Sequence, residues 1–298
     1  MMRVLLLGAD GQLGRELTAL AAERGLALTA LNRAATDITD PVAVAKALEA
    51  HKPDVVVNAA AYTAVDKAES EPDLAAKVNA VAPGLIAERC ASVGVPLIHV
   101  STDYVFDGTK IGAYVESDPL APLGVYGRTK AAGEAAIRAA GEKHLILRTA
   151  WVYGIYGNNF LKTMLRLAKD RDRLTIVADQ RGCPTATRDI AEGILAAAAP
   201  AVAGSARWGT YHLGGTGVTT WHGFAQAIID RAATHTGRRP EVAAITTAEY
   251  PTPARRPANS ELDSSLFERT FHFRAAPWQQ RTVEVVDTLL AKSPVEAS

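Results

Sequence analysis

The segment RVLLLGADGQLGRELTALAAERG, residues 3–25, decides the fold class. Its first part is a continuous apolar run that ends at a glycine, which is typical of a strand buried on both faces of a sheet. Apolar residues then recur at helical spacing, and Gly25 ends the helix; they are Leu13, Leu17, Leu20 and Ala21. The segment therefore predicts a buried strand, a tight turn and a helix.

Three glycines, Gly8, Gly11 and Gly14, form a G-x-x-G-x-x-G pattern between this strand and this helix. Glycine at such positions permits a tight turn, close approach of the backbone to a pyrophosphate, and packing of the helix on the sheet. A glycine-rich turn without a ligand is the alternative. The position at the start of a βα unit favours a dinucleotide-binding turn.

Strand-like and helix-like segments alternate through the first half of the chain. Strands are predicted at residues 26–32, 53–61, 95–102 and 144–154, and helices at 41–51, 73–94 and 129–141. Asp40 before Pro41 is typical of a helix start. This alternation predicts an α/β fold, a Rossmann-type doubly wound parallel sheet with a smaller mixed C-terminal substrate lobe.

The domain boundaries follow from where the alternation loosens. We expect residues 1–150 to form an NAD(P)-binding domain, rejoined by about residues 174–204. Residues 151–298 should form mainly the substrate-binding lobe, and we place the region after Gly204 in that lobe.

The composition excludes several classes of partner. Lys plus Arg and Asp plus Glu each number 32, so no overall charge attracts nucleic acid or an anionic membrane. No apolar run approaches the roughly 18 to 20 residues that span a bilayer. Cys90 and Cys183 lack metal-ligand spacing and are expected to be reduced thiols of a cytoplasmic protein.

The end of the second strand indicates which dinucleotide binds. An acidic residue there would bind the ribose 2′-hydroxyl of NAD, whereas this chain has Asn32 and Arg33. An arginine can accommodate a 2′-phosphate, so we predict NADPH, with NADH as an alternative. Asp37 and Ile38 lie where a carboxylate can meet the adenine amino group; a turn leading to the next helix is the alternative.

Tyr126 and Lys130, in YGRTKAAGE, share one face of a predicted helix. A nearby cation stabilises a phenolate, so the pair can supply an acid and base near pH 7. Thr102 ends a buried strand at the edge where ligands of α/β sheets bind. The small Ala59 to Ala61 run ends a neighbouring strand and leaves room for a ribose or nicotinamide.

With these motifs the chain resembles the extended short-chain dehydrogenase/reductase superfamily, and within it the reductases of dTDP-rhamnose synthesis. The resemblance covers nearly the whole chain and is carried by GADGQLG, NAAAYTAVDKAESEP, STDYVFDG, YGRTKAAGE, RTAWVYG with GNNF, DQRGCPT and YPTPARRPANSELD. It implies NAD(P)H-dependent reduction of the C4 ketone of dTDP-4-dehydro-β-L-rhamnose to dTDP-β-L-rhamnose.

The resemblance also implies the roles of individual residues. The catalytic group would be Thr102, Tyr126 and Lys130. Cofactor contacts would come from Gly8, Gly11, Gln12, Leu13, Asp37, Ile38, Ala59, Ala60, Ala61 and Lys130. The dTDP-sugar substrate would contact Asp103, Tyr104, Trp151, Asn158, Asn159, Gln180, Arg256 and Asn259.

Members of this family can dimerise through a magnesium ion held by glutamates. Glu16 fits one such position, but Arg188 and Thr288 stand near the others and are not ligands for Mg²⁺. We therefore expect no bridging Mg²⁺ and no other metal, with Glu284 and Glu296 as alternative carboxylates. Either a monomer or a homodimer is compatible with the sequence.

Three other functions compete with the reductase. A nucleotide-sugar 4-epimerase would share the fold and keep its cofactor tightly bound. A 4,6-dehydratase would have an Asp-Glu pair after the active threonine, where this chain has Asp103 and Tyr104. A non-catalytic regulatory subunit, like that of methionine adenosyltransferase, would keep the nucleotide fold without needing an intact Thr102, Tyr126 and Lys130 set.

Overall fold

A computed structural model describes residues 2–291 of the chain. The strands are β1 Arg3–Leu7, β2 Ala27–Leu31, β3 Val55–Asn58, β4 Leu97–Thr102, β5 His144–Thr149, β6 Val152–Tyr153, β7 Arg173–Val177, β8 Arg181–Gly182, β9 Thr185–Ala186, β10 Gly209–His212, β11 Thr219–Thr220, β12 Glu241–Ile245 and β13 Asn259–Ser260. The helices are α1 Gln12–Glu23, α2 Pro41–His51, α3 Val65–Ala68, α4 Pro72–Ala76, α5 Ala82–Ser92, α6 Val125–Ala140, α7 Phe160–Asp170, α8 Thr187–Val202, α9 Trp221–Thr236, α10 Ser265–Phe271 and α11 Trp278–Ala291.

The central sheet confirms the predicted fold class. Its six strands are all parallel and follow the order β10-β5-β4-β3-β1-β2. The order reverses between β1 and β3, and ligands of doubly wound sheets bind beside such a reversal, at the carboxyl ends of the strands. The glycine turn after β1 and the alanine run after β3 therefore face each other across this point.

Apolar side chains cover both faces of the sheet. On one face, Leu6 and Val57 pack with α1 and α8, where Leu17 and Ile194 are fully buried. Residues of the other face pack against α2, α5 and α6 and include Leu5, Leu7, Val56, Ile86 and Ile137. Because the strands are buried on both sides, their sequences are continuous apolar runs rather than alternating ones.

The helix predicted at residues 73–94 forms as three joined segments. Between α4 and α5, the residues Lys77–Val81 adopt a π-helical turn. This turn widens the helix at Asn79, whose side-chain oxygen accepts a hydrogen bond from the Tyr62 backbone N–H at 2.8 Å. The turn thereby fixes the loop that follows the alanine run.

The C-terminal lobe has its own apolar core, formed by α7, α9 and α11. Tyr153, Phe224 and Trp278 meet there, with Phe224 in edge contact with both of the other rings. The short strands of the lobe form three small sheets.

The elements after residue 150 that join the central sheet differ in part from those predicted. Helix α8 packs against α1 and the central sheet, as expected. Strand β7 instead pairs with β12 in a separate two-stranded sheet, and β10 from the region after Gly204 becomes the sixth central strand. The burial of β7 agrees with this, because the exposed Arg173 and Thr175 flank the buried Leu174, as suits a sheet covered on one side.

Candidate active site

A cleft of about 960 Å³ lies along the carboxyl ends of the central strands. Most of the residues predicted for the site line it: Gly8, Gly11, Gln12, Leu13, Arg33, Asp37, Ile38, Ala59, Ala60, Ala61, Thr102, Asp103, Tyr104, Tyr126, Lys130, Trp151 and Asn158. Its size suits a dinucleotide together with a sugar nucleotide. The cleft is therefore the candidate active site.

The glycine turn fits tightly against the alanine run. Gly8 has φ +91°, and a side-chain carbon on it would lie 2.6 Å from the Ala60 nitrogen. A carbon on Gly14 would lie 2.2 Å from the Gly8 carbonyl oxygen. Helix α1 has neither a side-chain cap nor an acidic residue in its first turn. Its first backbone N–H groups can therefore bind a pyrophosphate.

The residues predicted to select the cofactor have distinct surroundings. The Arg33 side chain is 80% exposed, with its Nε atom 3.7 Å from an Asp37 carboxylate oxygen, and can meet a 2′-phosphate. Asp37 accepts hydrogen bonds from the backbone and hydroxyl of Thr39, which lower its pKa. The Asn32 side chain lies outside the cleft lining because it accepts from the Ala35 N–H at 3.0 Å.

Thr102 and Tyr126 bring two hydroxyl groups together at the end of β4. The Thr102 hydroxyl donates to Asp103 Oδ1 at 2.9 Å and accepts from the Tyr104 N–H at 3.2 Å. Burial raises the pKa of Tyr126 above its usual value, and a hydrogen bond with Thr102 acts in the opposite direction. The depressed pKa expected for this phenol is therefore not found in the protein alone.

Asp103 is a buried carboxyl group at the centre of the site. Burial raises its pKa to about 6, although hydrogen bonds from Ser260 and Thr102 act against the shift. Its Oδ2 atom has no hydrogen-bond partner among residues 2–291. A carboxyl group in this state can either donate or accept a hydrogen bond.

Lys130 lies one helical turn after Tyr126 and is 2% exposed. Its Nζ atom donates to the Val100 carbonyl oxygen at 2.7 Å and lies 3.1 Å from His99 Nε2. Burial lowers the pKa of the amine to about 8, while the charge of Glu134 acts to raise it. Both partners on β4 were missed from the sequence, because nothing in the pattern indicates which side chains a buried lysine meets.

A second buried network lies behind the site. Glu134 accepts hydrogen bonds from the Ser101 hydroxyl at 2.6 Å and from both Nε and Nη2 of Arg148 at 2.9 and 2.7 Å. The Arg148 and Glu134 side chains are 2% and 0% exposed. This pair ties α6, which carries Tyr126 and Lys130, to β4 and β5.

Arg256 reaches the cleft from the C-terminal lobe. Its Nη2 atom lies 2.8 Å from Asp66 Oδ2, and its Nη1 atom lies 3.4 Å from the Tyr104 hydroxyl. The Tyr104 ring contacts the Tyr126 ring edge-on, with centroids 5.4 Å apart. One side chain, that of Tyr104, therefore separates Arg256 from the Tyr126 phenol. Arg256 does not itself line the cleft.

Trp151 closes one wall of the cleft in a different way from that predicted. It has φ +49°, which ends β5, and its ring stacks on Trp221 with centroids 3.7 Å apart. A side-chain carbon on Gly182 would lie 2.6 Å from this ring. One face of the indole is therefore already covered by the lobe.

The two neighbouring asparagines have different environments. Asn158 lines the cleft. Asn159 instead caps α7 by accepting from the Lys162 N–H at 3.0 Å, and it donates to Gln12 Oε1 at 2.9 Å. Asn159 therefore connects the lobe to the start of α1 rather than facing the cleft.

The structure places Gln180 and Asn259 outside the cleft lining. Both side chains are buried within the lobe. Gln180 donates to the Thr247 hydroxyl at 3.1 Å, and Asn259 donates to the carbonyl oxygens of Lys110 and Gly112 at 2.8 and 2.7 Å. Gln180 therefore holds a loop of the lobe in place, whereas Asn259 joins the lobe to the loop at residues 110–112.

The carboxylates considered for magnesium are used in other contacts. Glu16 is buried and accepts from the Thr187 hydroxyl at 2.8 Å, and Glu284 pairs with Arg281 at 2.7 Å. Glu296 lies outside the described residues. Within residues 2–291 no group of three or more His, Cys, Asp or Glu side chains could hold a metal ion. No helix in that range is long and apolar enough to cross a membrane.

The sequence is similar to those of known proteins over nearly its whole length. A family model described as the RmlD substrate binding domain matches residues 2–291. The chain belongs to this family. It is 46% identical over 291 residues to a dTDP-4-dehydrorhamnose reductase of Sinorhizobium fredii, covering 97% of this chain and 98% of the relative. It is 42% identical over 300 residues to the reductase of Escherichia coli K12, covering 99% and 100%.

Solved structures of RmlD-family proteins have the same fold. A dTDP-4-dehydrorhamnose reductase from Clostridium acetobutylicum superposes with a TM-score of 0.90 at 40% identity, covering 97% of this chain and 99% of that one. One from Bacillus anthracis, in complex with NADP, gives 0.89 at 34% identity, covering 96% and 99%. A UDP-glucose 4-epimerase from Thermus thermophilus, at 23% identity and 0.79, covers 98% and 100% and shares the fold alone.

Proposed function

We propose that this chain catalyses the NAD(P)H-dependent reduction of the C4 ketone of dTDP-4-dehydro-β-L-rhamnose to dTDP-β-L-rhamnose, the last step of dTDP-rhamnose biosynthesis. Relatives that it matches over nearly their whole length carry the name of this reductase. One solved relative is in complex with NADP, and the exposed Arg33 guanidinium supports NADPH as the main cofactor, with NADH as an alternative.

One observation carries the proposal. The hydroxyls of Thr102 and Tyr126 and the amine of Lys130 line the same cleft as the glycine turn. A ketone held there would meet a proton donor on one side and a dinucleotide on the other. A regulatory subunit would have no need for this arrangement.

The chain's own residues account for the proton side of the reaction. When bound, the dihydronicotinamide supplies the hydride. Tyr126 donates its proton to the carbonyl oxygen, and Thr102 hydrogen-bonds to the same oxygen. The raised pKa of Tyr126 keeps the proton on the phenol at pH 7 until negative charge develops on the substrate oxygen.

Substrate binding is assigned to residues of both lobes. Asp103, Tyr104 and Asn158 line the cleft beside the hydroxyl pair, and Arg256 can bind the diphosphate bidentately. Trp151 would contact the sugar nucleotide with the part of its side chain that lines the cleft. We assign indirect roles to Asn159, Gln180 and Asn259, which hold the loops around the cleft.

The domain assignment follows from this. Residues 1–150 bind the dinucleotide together with helix α8, and residues 151–298 contribute mainly to the sugar nucleotide site. We also infer a cytoplasmic location, which fits the two buried free thiols of Cys90 and Cys183. The protein acts as a monomer or a homodimer without a bridging metal.

A direct assay tests the proposal. Purified protein is mixed with dTDP-4-dehydrorhamnose and either NADPH or NADH, oxidation is followed by absorbance, and the product sugar nucleotide is identified by mass and NMR. We expect substrate-dependent oxidation and dTDP-rhamnose as product. Cofactor that copurifies at one equivalent and interconverts a 4-epimer pair without net oxidation would instead indicate an epimerase. Binding of cofactor with no turnover of either kind would contradict the enzymatic proposal.

A further inference from the structure

The buried amine of Lys130 is held by a chain of hydrogen bonds that starts on β3. Nζ lies 3.1 Å from His99 Nε2, and His99 Nδ1 lies 3.1 Å from Asn58 Nδ2. His99 and Asn58 are both fully buried. The direction of each hydrogen bond in this series affects whether the charged or the uncharged form of Lys130 is favoured.

The orientation of the Asn58 amide is fixed by a backbone group. Asn58 Oδ1 faces the Ala60 N–H at 3.1 Å. A backbone N–H can only donate, so the atom that faces it must be the amide oxygen. The Asn58 NH₂ group therefore points at His99 Nδ1, which has to accept.

The imidazole of His99 carries a single proton. Burial and the nearby Lys130 amine lower the pKa of His99 well below its usual value, so the ring is neutral. Because Nδ1 accepts from Asn58, the proton must be on Nε2. This N–H is directed at Lys130 Nζ, and an ammonium group there would place two donors against each other.

We propose that His99, oriented by Asn58, is a positioning residue that donates a hydrogen bond to the Lys130 amine and thereby favours its uncharged form. The amine uses its lone pair to accept from His99 and one of its own hydrogens to donate to the Val100 carbonyl oxygen. Each hydrogen bond in the series from Asn58 through His99 and Lys130 to Val100 then joins a donor to an acceptor. An ammonium would leave one buried contact repulsive.

The other charged groups near Lys130 have partners of their own. Glu134, one turn further along α6, favours the ammonium form, but its carboxylate is bonded to Arg148 of β5 and Ser101 of β4. On the side of the cleft, Tyr126 and Asp103 are both held towards their protonated forms by burial. The lowered pKa of Lys130, about 8, agrees with the direction that the hydrogen bonds require.

A consequence for catalysis rests on the proposed function. An uncharged amine does not stabilise the phenolate of Tyr126, whereas an ammonium does. Dinucleotide binding would bring phosphate and ribose oxygens that favour the ammonium, so we expect proton uptake to accompany binding. Above about pH 8, Lys130 would then carry its charge only when the cofactor is in place.

The charge of Lys130 is measured in the full chain without added cofactor. The ¹³Cε resonance of Lys130, assigned by its loss in Lys130→Met, is titrated from pH 6 to 11. We expect a midpoint near 8, well below the ordinary lysine value of about 10.4. A midpoint at or above the ordinary value would overturn the proposal, whatever substrate the enzyme turns over.

Substitution of Asn58 tests the direction of the hydrogen bonds. In Asn58→Asp one carboxylate oxygen still accepts from the Ala60 N–H, while the other accepts from His99 Nδ1–H. This turns the lone pair of Nε2 towards Lys130. We expect the midpoint to move towards the ordinary value. His144→Gln is the matched control, because His144 bonds only to its own loop at the Gly141 carbonyl oxygen, and it should leave the midpoint unchanged.

Two results separate this proposal from a merely structural role for His99. If Asn58→Asp folds, as shown by its thermal transition, and leaves the Lys130 midpoint unchanged, the proposed directions of these hydrogen bonds are refuted. Calorimetry of NADPH binding at about pH 9, in two buffers of different ionisation enthalpy, should show uptake of up to about one proton by the unsubstituted protein. No buffer dependence would refute the proton coupling even if the reductase assay succeeds.

Discussion

Arg256 and Asp66 form an ion pair beside the cleft, with the guanidinium 2.8 Å from the carboxylate although the two residues lie 190 positions apart. Both side chains are partly exposed, 25% and 42%. A pair of this kind contributes only about 0 to 1 kcal/mol to stability. We therefore expect its importance to be in holding a cation beside Tyr104 and the hydroxyls that we propose to be catalytic.

Replacing Arg256 should weaken substrate binding without unfolding the protein. A charged hydrogen bond contributes about 1.5 to 3 kcal/mol, so Arg256→Gln should raise KM for the dTDP-sugar by about tenfold to a hundredfold. Steady-state kinetics with NADPH at saturation measures the change. Arg255→Gln, at an exposed neighbouring position, is the control. Equal KM values for the two variants would show that Arg256 does not bind the diphosphate.

Removing the phenol of Tyr126 should separate chemistry from binding. We expect Tyr126→Phe to lower kcat by at least about a hundredfold, because general acid catalysis typically supplies that much. The Kd for NADPH, followed by fluorescence, should change less than about threefold. Tyr250→Phe, at an exposed tyrosine, should retain full activity. Full activity of Tyr126→Phe would remove this residue from the mechanism.

The glycine turn offers a comparison between two glycines with positive φ. In Gly8→Ala the new carbon would lie 2.6 Å from the Ala60 nitrogen, whereas nothing lies within 4 Å of the corresponding position in Gly25→Ala. In both variants an alanine at positive φ costs about 1 kcal/mol or more, but only Gly8→Ala also displaces the Ala59 to Ala61 run. Urea unfolding and NADPH titration should show Gly8→Ala to be less stable and at least about tenfold weaker in binding. Similar behaviour of the two variants would contradict the close packing at Gly8.

Asp103 should make the stability of the protein depend on pH. Its pKa is about 6 in the folded protein and about 3.9 in the unfolded chain. Asp103 therefore makes a favourable contribution to the free energy of unfolding below about pH 4, and this contribution is lost as the pH rises through 6. Asp103→Asn removes this loss, so the variant should gain about 1 to 3 kcal/mol relative to the unsubstituted protein between pH 4 and pH 7. Urea unfolding at several pH values measures the gain.

An aspartate with the opposite shift is the control for this experiment. Hydrogen bonds from Thr247 lower the pKa of Asp179, so its stabilising contribution is present above the unfolded pKa and is lost as the pH falls. Asp179→Asn should therefore lose stability relative to the unsubstituted protein as the pH rises to about 4, and the difference should change little above that. The same sign of pH dependence in both variants would show that the pKa of Asp103 is not raised.

Local patterns were sufficient to predict the central sheet. Val55 to Val57 are fully buried on both faces, and such strands are recognisable as uninterrupted apolar runs. Asp40 caps α2 as expected, accepting from the Val42 N–H at 2.8 Å. The strand β10 was missed because its sequence, GTYH, begins with glycine and has no apolar run; its place in the sheet depends on the long-range pairing with β5.

The predicted site residues that lie at the ends of strands are brought together in one cleft. Thr102, Tyr126 and Lys130 line one cleft because parallel strands end at one edge and α6 begins there. Gln180 and Asn259 lie elsewhere, since motif membership does not show whether an amide faces a ligand or holds a loop. The contact between Arg256 and Asp66 could not be read from the sequence, because no local spacing connects two loops on different lobes.

The stacked indoles of Trp151 and Trp221, with centroids 3.7 Å apart and planes inclined by 11°, join the cleft wall to the first turn of α9. Two chromophores at such a distance couple electronically, so their ultraviolet circular dichroism should contain a pair of bands of opposite sign. Any movement of α9 away from Trp151 would change this signal. The protein therefore carries an intrinsic optical report on this wall of the cleft that needs no added label.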